Sequence, residues 1–122
     1  EMYKVHKGAT SRPLKRTTPD YAAATKRIPA VSASASRDRN GKIHLSFANC
    51  DPSQPLTVAC TLNGVAAKGV TGRVLTAPAV NSVNTFASPH VVEPVAFSGA
   101  KLDGAALSVT LPAKSVVVLE LN

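Results

Sequence analysis

The fold is decided by AVSASASRDRNGKIHLSFANC, residues 30–50. Its first half alternates small apolar residues with serines, and its second half places Ile43, Leu45 and Phe47 on one face of an extended chain. Between the halves, DRNG at 38–41 has the composition of a tight turn, because Asn and Gly tolerate positive φ. A period of two on both sides of a turn predicts a β-hairpin.

Similar alternation continues along the chain. The further candidate strands are PLTVACTLN at 55–63, KGVTGRVLT at 68–76, VVEPVAFSG at 91–99, KLDGAALSVTLP at 101–112 and KSVVVLELN at 114–122. Gly69 and Gly72, both inside one of these strands, are expected at bulges or at close approaches of the backbone. About seven or eight short strands separated by turn residues predict an all-β fold, an antiparallel β-sandwich that is jelly-roll-like.

The last candidate strand is apolar on both faces. Val117, Leu119 and Leu121 share one face, whereas Val116 and Val118 precede a glutamate on the other. Such nearly continuous apolarity is typical of a strand that is covered on both sides. We therefore expect the second sheet to cover one face and another part of the protein to cover the other.

The residues before the sandwich have a different character. EMYKVHK at 1–7 is predicted to be the last turns of a helix, which Gly8 ends in the C′ position. Residues 8–28 contain two prolines and many Lys, Arg and Thr residues, and they are predicted to form a linker. The sandwich itself is predicted to occupy residues 29–122.

One long loop interrupts the candidate strands. APAVNSVNTFASPH at 77–90 is polar and contains two prolines, and Phe86 is expected to attach it to the core. Phe47 and Phe97 also occupy expected core positions. With no Trp and 4% aromatic residues, the rest of the core must be aliphatic.

Composition and charge limit the function classes. A chain of 122 residues with 44% apolar residues suffices for one domain whose core needs neither metal nor disulfide. No apolar run approaches the roughly 18 residues of a membrane span, and the first residues do not resemble a signal peptide.

The net charge of +7 lies entirely in residues 1–42. A solvated linker explains this charge more simply than nucleic-acid binding, since no aromatic platform or recognition helix accompanies it. We therefore expect no nucleic-acid partner and no membrane partner.

The two cysteines, Cys50 and Cys60, have no Cys or His neighbours at the spacing of a metal site. If the strands at 42–50 and 55–63 formed a hairpin around DPSQ, Cys60 would lie opposite Leu45 rather than near Cys50. Both are therefore predicted to be free thiols. Free thiols favour a cytoplasmic location over a secreted or periplasmic one.

Candidate catalytic carboxylates are few. A glycosidase needs two of them, and the acidic residues from position 43 onward are Asp51, Glu93, Asp103 and Glu120. Asp51 precedes Pro and Asp103 precedes Gly, so both are expected in turns. Glu93 and Glu120 are expected to face solvent. We predict no catalytic pair among them.

The three histidines, His6, His44 and His90, lie far apart in the sequence, and His44 is expected at the surface of its strand. GxSxG, GxGxxG and GxxxxGK motifs do not occur. The sequence therefore predicts no catalytic, cofactor-binding or metal site in this chain.

Several stretches resemble a known family. They are EMYKVHKGAT at 1–10, PAVSASASRDRNGKIHLSFANCDPSQ at 29–54, GRVLTAPAVNSVNTFASPHVVEPVAFSGAKL at 72–102 and LSVTLPAKSVVVLELN at 107–122. Together they resemble the C-terminal domain of α-L-arabinofuranosidases of glycoside hydrolase family 51. The resemblance covers nearly the whole chain and is weakest at 11–28.

Proteins of this family combine a (β/α)8 barrel, which carries two catalytic glutamates, with a β-sandwich. They release terminal arabinofuranose from arabinan or arabinoxylan with retention. The resemblance implies that residues 1–7 end the last barrel helix and that 29–122 form a sandwich that stabilises the barrel. The motifs of the two glutamates have no counterpart here, so no catalytic role passes to Glu1, Glu93 or any other residue. The barrel is the implied partner, and a homo-oligomer of the parent enzyme is compatible with it.

A stand-alone carbohydrate-binding module is the alternative function. β-Sandwich modules of that class stack sugars on rows of exposed aromatic side chains. This chain has five aromatic residues, and three of them occupy expected core positions. The accessory-domain interpretation is therefore preferred.

Overall fold

The computed structural model of this chain describes residues 1–15 and 17–122, and Arg16 of the predicted linker lies outside the described residues. The described residues form one short 3₁₀ helix and eleven strands. The helix is Met2–His6, and the strands are β1 (Thr10–Ser11), β2 (Asp20–Ala23), β3 (Lys26–Pro29), β4 (Val31–Arg37), β5 (Ile43–Asn49), β6 (Leu56–Thr61), β7 (Val70–Leu75), β8 (Val95–Ala96), β9 (Ala100–Asp103), β10 (Ala106–Leu111) and β11 (Ser115–Leu121). No described helix is long and apolar enough to cross a membrane.

The strands form two sheets that share one core, with a separate small hairpin. The large sheet has six strands in the order β1-β4-β5-β11-β7-β8, and the small sheet has three in the order β6-β10-β9. Within the described residues, strands β2 and β3 pair only with each other. All of these pairs are antiparallel. The predicted all-β sandwich is confirmed.

The core lies between the inner faces of β5, β10 and β11. In the β5–β11 pair, Phe47 lies opposite Val117 and Leu45 lies opposite Leu119. Both β11 side chains are completely buried, and Phe47 is 2% exposed. From the small sheet, β10 contributes further fully buried side chains. These are Leu107, Val109 and Leu111.

The first predicted hairpin is present and spans both halves of the deciding segment. Strands β4 and β5 pair from Val31 opposite Asn49 to Arg37 opposite Ile43. In the turn, Gly41 has a φ of 85°, whereas Asn40 keeps a negative φ. The predicted hairpin is therefore confirmed, and of the two residues that tolerate a positive φ only Gly41 adopts one.

Strands β5 and β6 do not form the hairpin that the sequence allows, because they belong to different sheets. After β5 the chain crosses to the small sheet, where Cys60 lies opposite Leu107 of β10. Buried Asn49 holds this crossing: its amide donates to the carbonyls of Gln54 and Pro112 at 2.9 Å each, and its Oδ1 accepts from the amide of Asp51 at 3.0 Å. Because the two cysteines belong to different parts of the sandwich, neither is paired, and both are free thiols.

The N-terminal residues are attached to the large sheet. The 3₁₀ helix is followed by Gly8 with a φ of 72°, and β1 then pairs with the edge of β4. The β2–β3 hairpin falls mostly inside the predicted linker, 8–28. One backbone hydrogen bond, from the amide of Ala30 to the carbonyl of Pro19, ties this hairpin to the sandwich at 2.8 Å.

The expected position of Phe86 is wrong. Residues 77–94 do form a long connection between β7 and β8, but Phe86 is fully exposed instead of packed on the core. Phe97 does pack against the core, as expected. The loop leads into β8, the edge strand of the large sheet.

Gly72 marks a close approach, as its sequence position predicted. A Cβ at residue 72 would lie 2.5 Å from Cδ2 of Leu119 and 3.1 Å from the carbonyl oxygen of Val118. At Gly69, by contrast, a Cβ would enter open space, with no atom within 4 Å apart from its chain neighbours. Only Gly72 of this pair is therefore required for packing.

We expect Gly72→Ala to lower the free energy of unfolding by about 1–3 kcal/mol, because the added methyl group overpacks the core against Leu119. Gly69→Ala is the matched control and should leave stability unchanged or raise it slightly. Urea unfolding followed by circular dichroism measures both. Equal stability of the two variants would contradict the close approach.

Candidate functional site

A polar cluster lies on the outer face of the large sheet, beneath the N-terminal 3₁₀ helix. Its members come from the helix, β4, β5, β11 and the turn between β4 and β5. They are His6, Ser36, Asp38, Lys42, His44, Ser46 and Glu120. Three of them are almost completely buried: Ser36, His44 and Ser46.

His6 connects the helix to the sheet. Its Nδ1 lies 2.6 Å from the hydroxyl oxygen of Ser36, and its Nε2 is hydrogen-bonded to the hydroxyl of Ser46. A neutral imidazole has one donor and one acceptor, and each hydroxyl can serve as either, so both contacts are satisfied without a charge on His6. Burial, with a smaller contribution from nearby His44, lowers the pKa of His6 below its usual 6.5.

His44 is buried, whereas the sequence predicted it at the surface of its strand. It is 3% exposed because the N-terminal helix covers this face of β5. Its Nε2 lies 3.2 Å from Oδ2 of Asp38, which also accepts the backbone amides of Asn40 and Lys42 through Oδ1 at 2.9 Å each. The hydrogen bond from His44, aided by these amides, holds the pKa of Asp38 below 3.8. An ionised Asp38 therefore accepts a hydrogen bond from Nε2–H of His44.

Glu120 closes the other side of the cluster. Its Oε1 pairs with Nζ of Lys42 at 2.5 Å, and this hydrogen bond and charge raise the pKa of Lys42. Its Oε2 lies 4.0 Å from Nδ1 of His44, beyond hydrogen-bond distance. Within the described residues, Nδ1 of His44 has no hydrogen-bond partner. Glu120 faces the half-buried outer side of the sheet, opposite to the core, as its alternation with Leu119 predicted.

The hydrogen bonds of His6 attach the helix to the sheet. A serine beside a histidine is typical of a nucleophile and its base, but such a base needs a third group to orient it and a substrate that can reach the serine. Here His6 contacts hydroxyl groups on both sides, and both serines are buried. Among the described residues, no group of three or more His, Cys, Asp or Glu residues could hold a metal ion.

The N-terminal helix also covers the second face of β11. Val118 is 8% exposed, and Val116 is half-buried. Val118 lines a small cavity of about 230 Å³ together with the helix residues Met2 and Val5. The expectation that both faces of β11 are covered therefore holds for Val118, and residues 1–7 supply part of the cover.

The remaining carboxylates are engaged elsewhere. Asp51 accepts the amides of Ser53 and Gln54 at 2.8 and 2.9 Å, which makes it a turn residue. Asp103 ends β9 before Gly104, whose φ is 56°, in the hairpin to β10. Glu93 is exposed and contacts His90 at 2.9 Å. These positions match the turn and surface roles expected from the sequence. Among the described residues, His90 does not contact the other two histidines.

A larger cavity of about 1430 Å³ opens between the two sheets on the side of β6. Its walls include the apolar inner faces of β4 and β6 and the chain at 12–19. Among the described residues that line it, Phe47 is the one aromatic side chain, and it is 2% exposed. These walls therefore offer no accessible aromatic surface for stacking a sugar ring.

Comparison with known proteins gives the class of this chain. The family model described as the α-L-arabinofuranosidase C-terminal domain matches residues 1–115. The chain belongs to this family.

One relative and two solved structures agree with that assignment. An intracellular exo-α-L-arabinofuranosidase of Bacteroides ovatus is 38% identical over all of this chain, which spans 24% of that protein. The crystal structure of the family 51 arabinofuranosidase of Xanthomonas axonopodis pv. citri superposes with a TM-score of 0.96 at 40% identity, over 99% of this chain and 24% of that one. The family 51 α-L-arabinofuranosidase of Bifidobacterium longum matches 87% of this chain and 21% of its own, with a TM-score of 0.75 and 25% identity. The chain thus spans about a quarter of the length of the relatives that it matches.

The pKa of His6 predicts a pH-dependent stability. Because the folded state holds the pKa of His6 below 6.5, protonation favours the unfolded state, and the free energy of unfolding falls as the pH falls below about 6.5. We expect His6→Gln to reduce this loss between about pH 7.5 and pH 5.5. Urea unfolding at several pH values measures the effect.

The control is His90→Gln, since the His90 side chain is 76% exposed. Its pH profile should follow that of the unsubstituted protein. An identical profile for His6→Gln and His90→Gln would show that the pH dependence of the free energy of unfolding does not arise from His6.

Proposed function

We propose that this chain is the non-catalytic C-terminal accessory domain of a retaining α-L-arabinofuranosidase. In this proposal residues 1–7 end the last helix of a (β/α)8 barrel, 8–28 link the two domains, and the sandwich at 29–122 stabilises the barrel. The parent enzyme releases terminal arabinofuranose from arabinan or arabinoxylan.

One observation carries the proposal: the whole chain superposes on about a quarter of a family 51 arabinofuranosidase with a TM-score of 0.96. The matched segment is 24% of that enzyme, and in this proposal the remaining three quarters carry the activity. The hydrogen bonds of His6 to Ser36 and Ser46 add support, because they give the segment that precedes the sandwich a fixed position on the large sheet.

The absence of a catalytic role within this chain is part of the proposal. Retaining glycosidases need two carboxyl groups about 5–5.5 Å apart on either side of the substrate. Asp51 is occupied by turn amides, Asp38 by His44 and Glu120 by Lys42. None of these three carboxylates is free to act as a nucleophile or as a general acid without losing a contact that holds the fold.

The proposal predicts how activity and stability divide between the domains. An arabinofuranoside assay on residues 1–122 alone should give no turnover above the blank. The full-length enzyme without residues 29–122 should lose thermal stability, because the surface that the sandwich covers becomes exposed to water. Turnover by residues 1–122, or unchanged stability of the shortened enzyme, would overturn the proposal.

A carbohydrate-binding module remains the alternative because of one observation. Phe86 and Tyr3 are exposed aromatic residues, and Phe86 was expected in the core. They belong to different segments, a loop and the N-terminal helix, and the structure aligns them in no row of aromatic residues on a strand. Calorimetric titration of the domain with arabinan or xylan tests the alternative, which predicts measurable binding where the accessory-domain proposal predicts none.

A further inference from the structure

The loop at 77–94, here called the Phe86 loop, presents apolar side chains to solvent. Phe86 is fully exposed, Val80 is 77% exposed and Val83 is 65% exposed. At the end of the loop, Val91 and Val95 are 39% and 50% exposed. Glu93 is the sole Lys, Arg, Asp or Glu residue in the segment. Several exposed apolar side chains on one segment with so little charge are typical of a surface that another protein surface covers.

The loop is held in this conformation by its own hydrogen bonds. The side chain of Asn84 donates to the carbonyl of Val92 at 2.9 Å and accepts the amide of the same residue at 2.7 Å. At the tip, the amides of Thr85 and Ser88 each donate to the carbonyl of the other, at 3.1 and 3.2 Å. Phe86 lies inside this tight turn. Its exposure is therefore built into an ordered loop, which lowers the entropy cost of covering it.

The base of the Phe86 loop contacts the first residue of the chain. Arg73, on the outer face of β7, donates through Nη2 to the carbonyl of Pro94 at 3.0 Å and through Nη1 to Oε1 of Glu1 at 2.8 Å. This hydrogen bond from Arg73 lowers the pKa of Glu1. One side chain thus joins the loop to the start of the N-terminal helix, so the loop and residue 1 lie at the same edge of the large sheet.

We propose that the Phe86 loop is a docking surface for the part of the same protein that precedes residue 1. This inference rests on the proposed function, in which that part is the barrel. The relatives are about four times as long as this chain, which leaves a large domain to be accommodated. Any segment that enters at residue 1 passes the base of the loop, because Arg73 holds the two together. A tethered domain meets the surface at a high effective concentration, so an apolar patch of this kind is covered intramolecularly.

The docking surface is distinct from the polar cluster. The cluster attaches residues 1–7 to the sheet through His6, whereas the loop would contact residues that come earlier in the protein. Together, His6 and Phe86 would fix the sandwich at two points and so define its orientation relative to the barrel. One contact alone would leave rotation about the linker free.

The experiment measures the accessibility of the loop in the full-length enzyme. Ala87→Cys places an exposed thiol beside an intact Phe86, and Ala59→Cys, on the exposed face of the small sheet, is the control. Cys50 is exposed and is replaced by serine, while burial raises the pKa of the Cys60 thiol and slows its reaction. Maleimide labelling near neutral pH gives the rate at each site.

We expect Ala87→Cys to react at least about tenfold more slowly than Ala59→Cys, as a covered site reacts only when it opens. Adding Phe86→Asp should restore fast labelling at residue 87, because the charge is disfavoured in an apolar contact. Ile28→Asp is a matched change of an exposed apolar residue in the β2–β3 hairpin, and it should leave labelling at residue 87 slow. Light scattering on the same samples gives the oligomeric state.

Each outcome decides the proposal. Slow labelling at residue 87 in a monomer, reversed by Phe86→Asp and not by Ile28→Asp, supports it. Fast labelling in the full-length enzyme overturns it, as does protection that appears only in an oligomer or only with arabinan present. These results are separable from the proposed function: if removal of residues 29–122 destabilises the enzyme but residue 87 labels fast, the sandwich supports the barrel through a different surface.

Discussion

The pairing of β5 with β11 is the contact on which the rest of the structure depends. It joins seven residue pairs, from Ser115 opposite Asn49 to Leu121 opposite Ile43, in the middle of the large sheet. On one side β4 pairs with β5, and on the other β7 pairs with β11. Both faces of the pair are covered, by β10 on the inside and by the N-terminal helix on the outside. A strand pair enclosed in this way fixes the register of its neighbours, because a slip by one residue would exchange the apolar and polar faces.

The polar cluster follows from the same pairing. Glu120 lies opposite His44, and Val118 lies opposite Ser46, so the outer face carries polar groups directly beside an apolar residue. Covering such a face with a helix is favourable only if the buried polar groups keep hydrogen-bond partners. His6 and Asp38 provide them for Ser36, Ser46 and one nitrogen of His44. Residues 1–7 can therefore lie on the sheet because the cluster gives the polar groups beneath them hydrogen-bond partners.

The sequence predicted what depends on neighbours along the chain and failed where distant segments meet. The β4–β5 hairpin and the close approach at Gly72 follow from alternation and residue size. The burial of His44 does not, because the strand pattern cannot show that residues 1–7 return to cover its polar face. For the same reason the sequence leaves a β5–β6 hairpin open as a possibility, whereas the chain crosses to the second sheet. Phe86 was placed in the core because large apolar residues usually are buried, and a loop has no periodicity that could correct this. For the candidate site, the turn roles of Asp51 and Asp103 were predictable, but the meeting of His6 with His44 was not.

The position of β11 has a consequence for how the protein is made. A ribosome synthesises residues 115–121 after every other strand described here, yet this strand occupies the centre of the large sheet. Until it emerges, the β4–β5 hairpin and the β7–β8 pair have no common partner, and their apolar inner faces stay exposed. Because domains fold as units during synthesis, the sandwich can close only at the end of its own translation. A nascent chain that stalls a few residues early therefore presents two half-sheets with open edges, and such edges are templates for pairing with another chain.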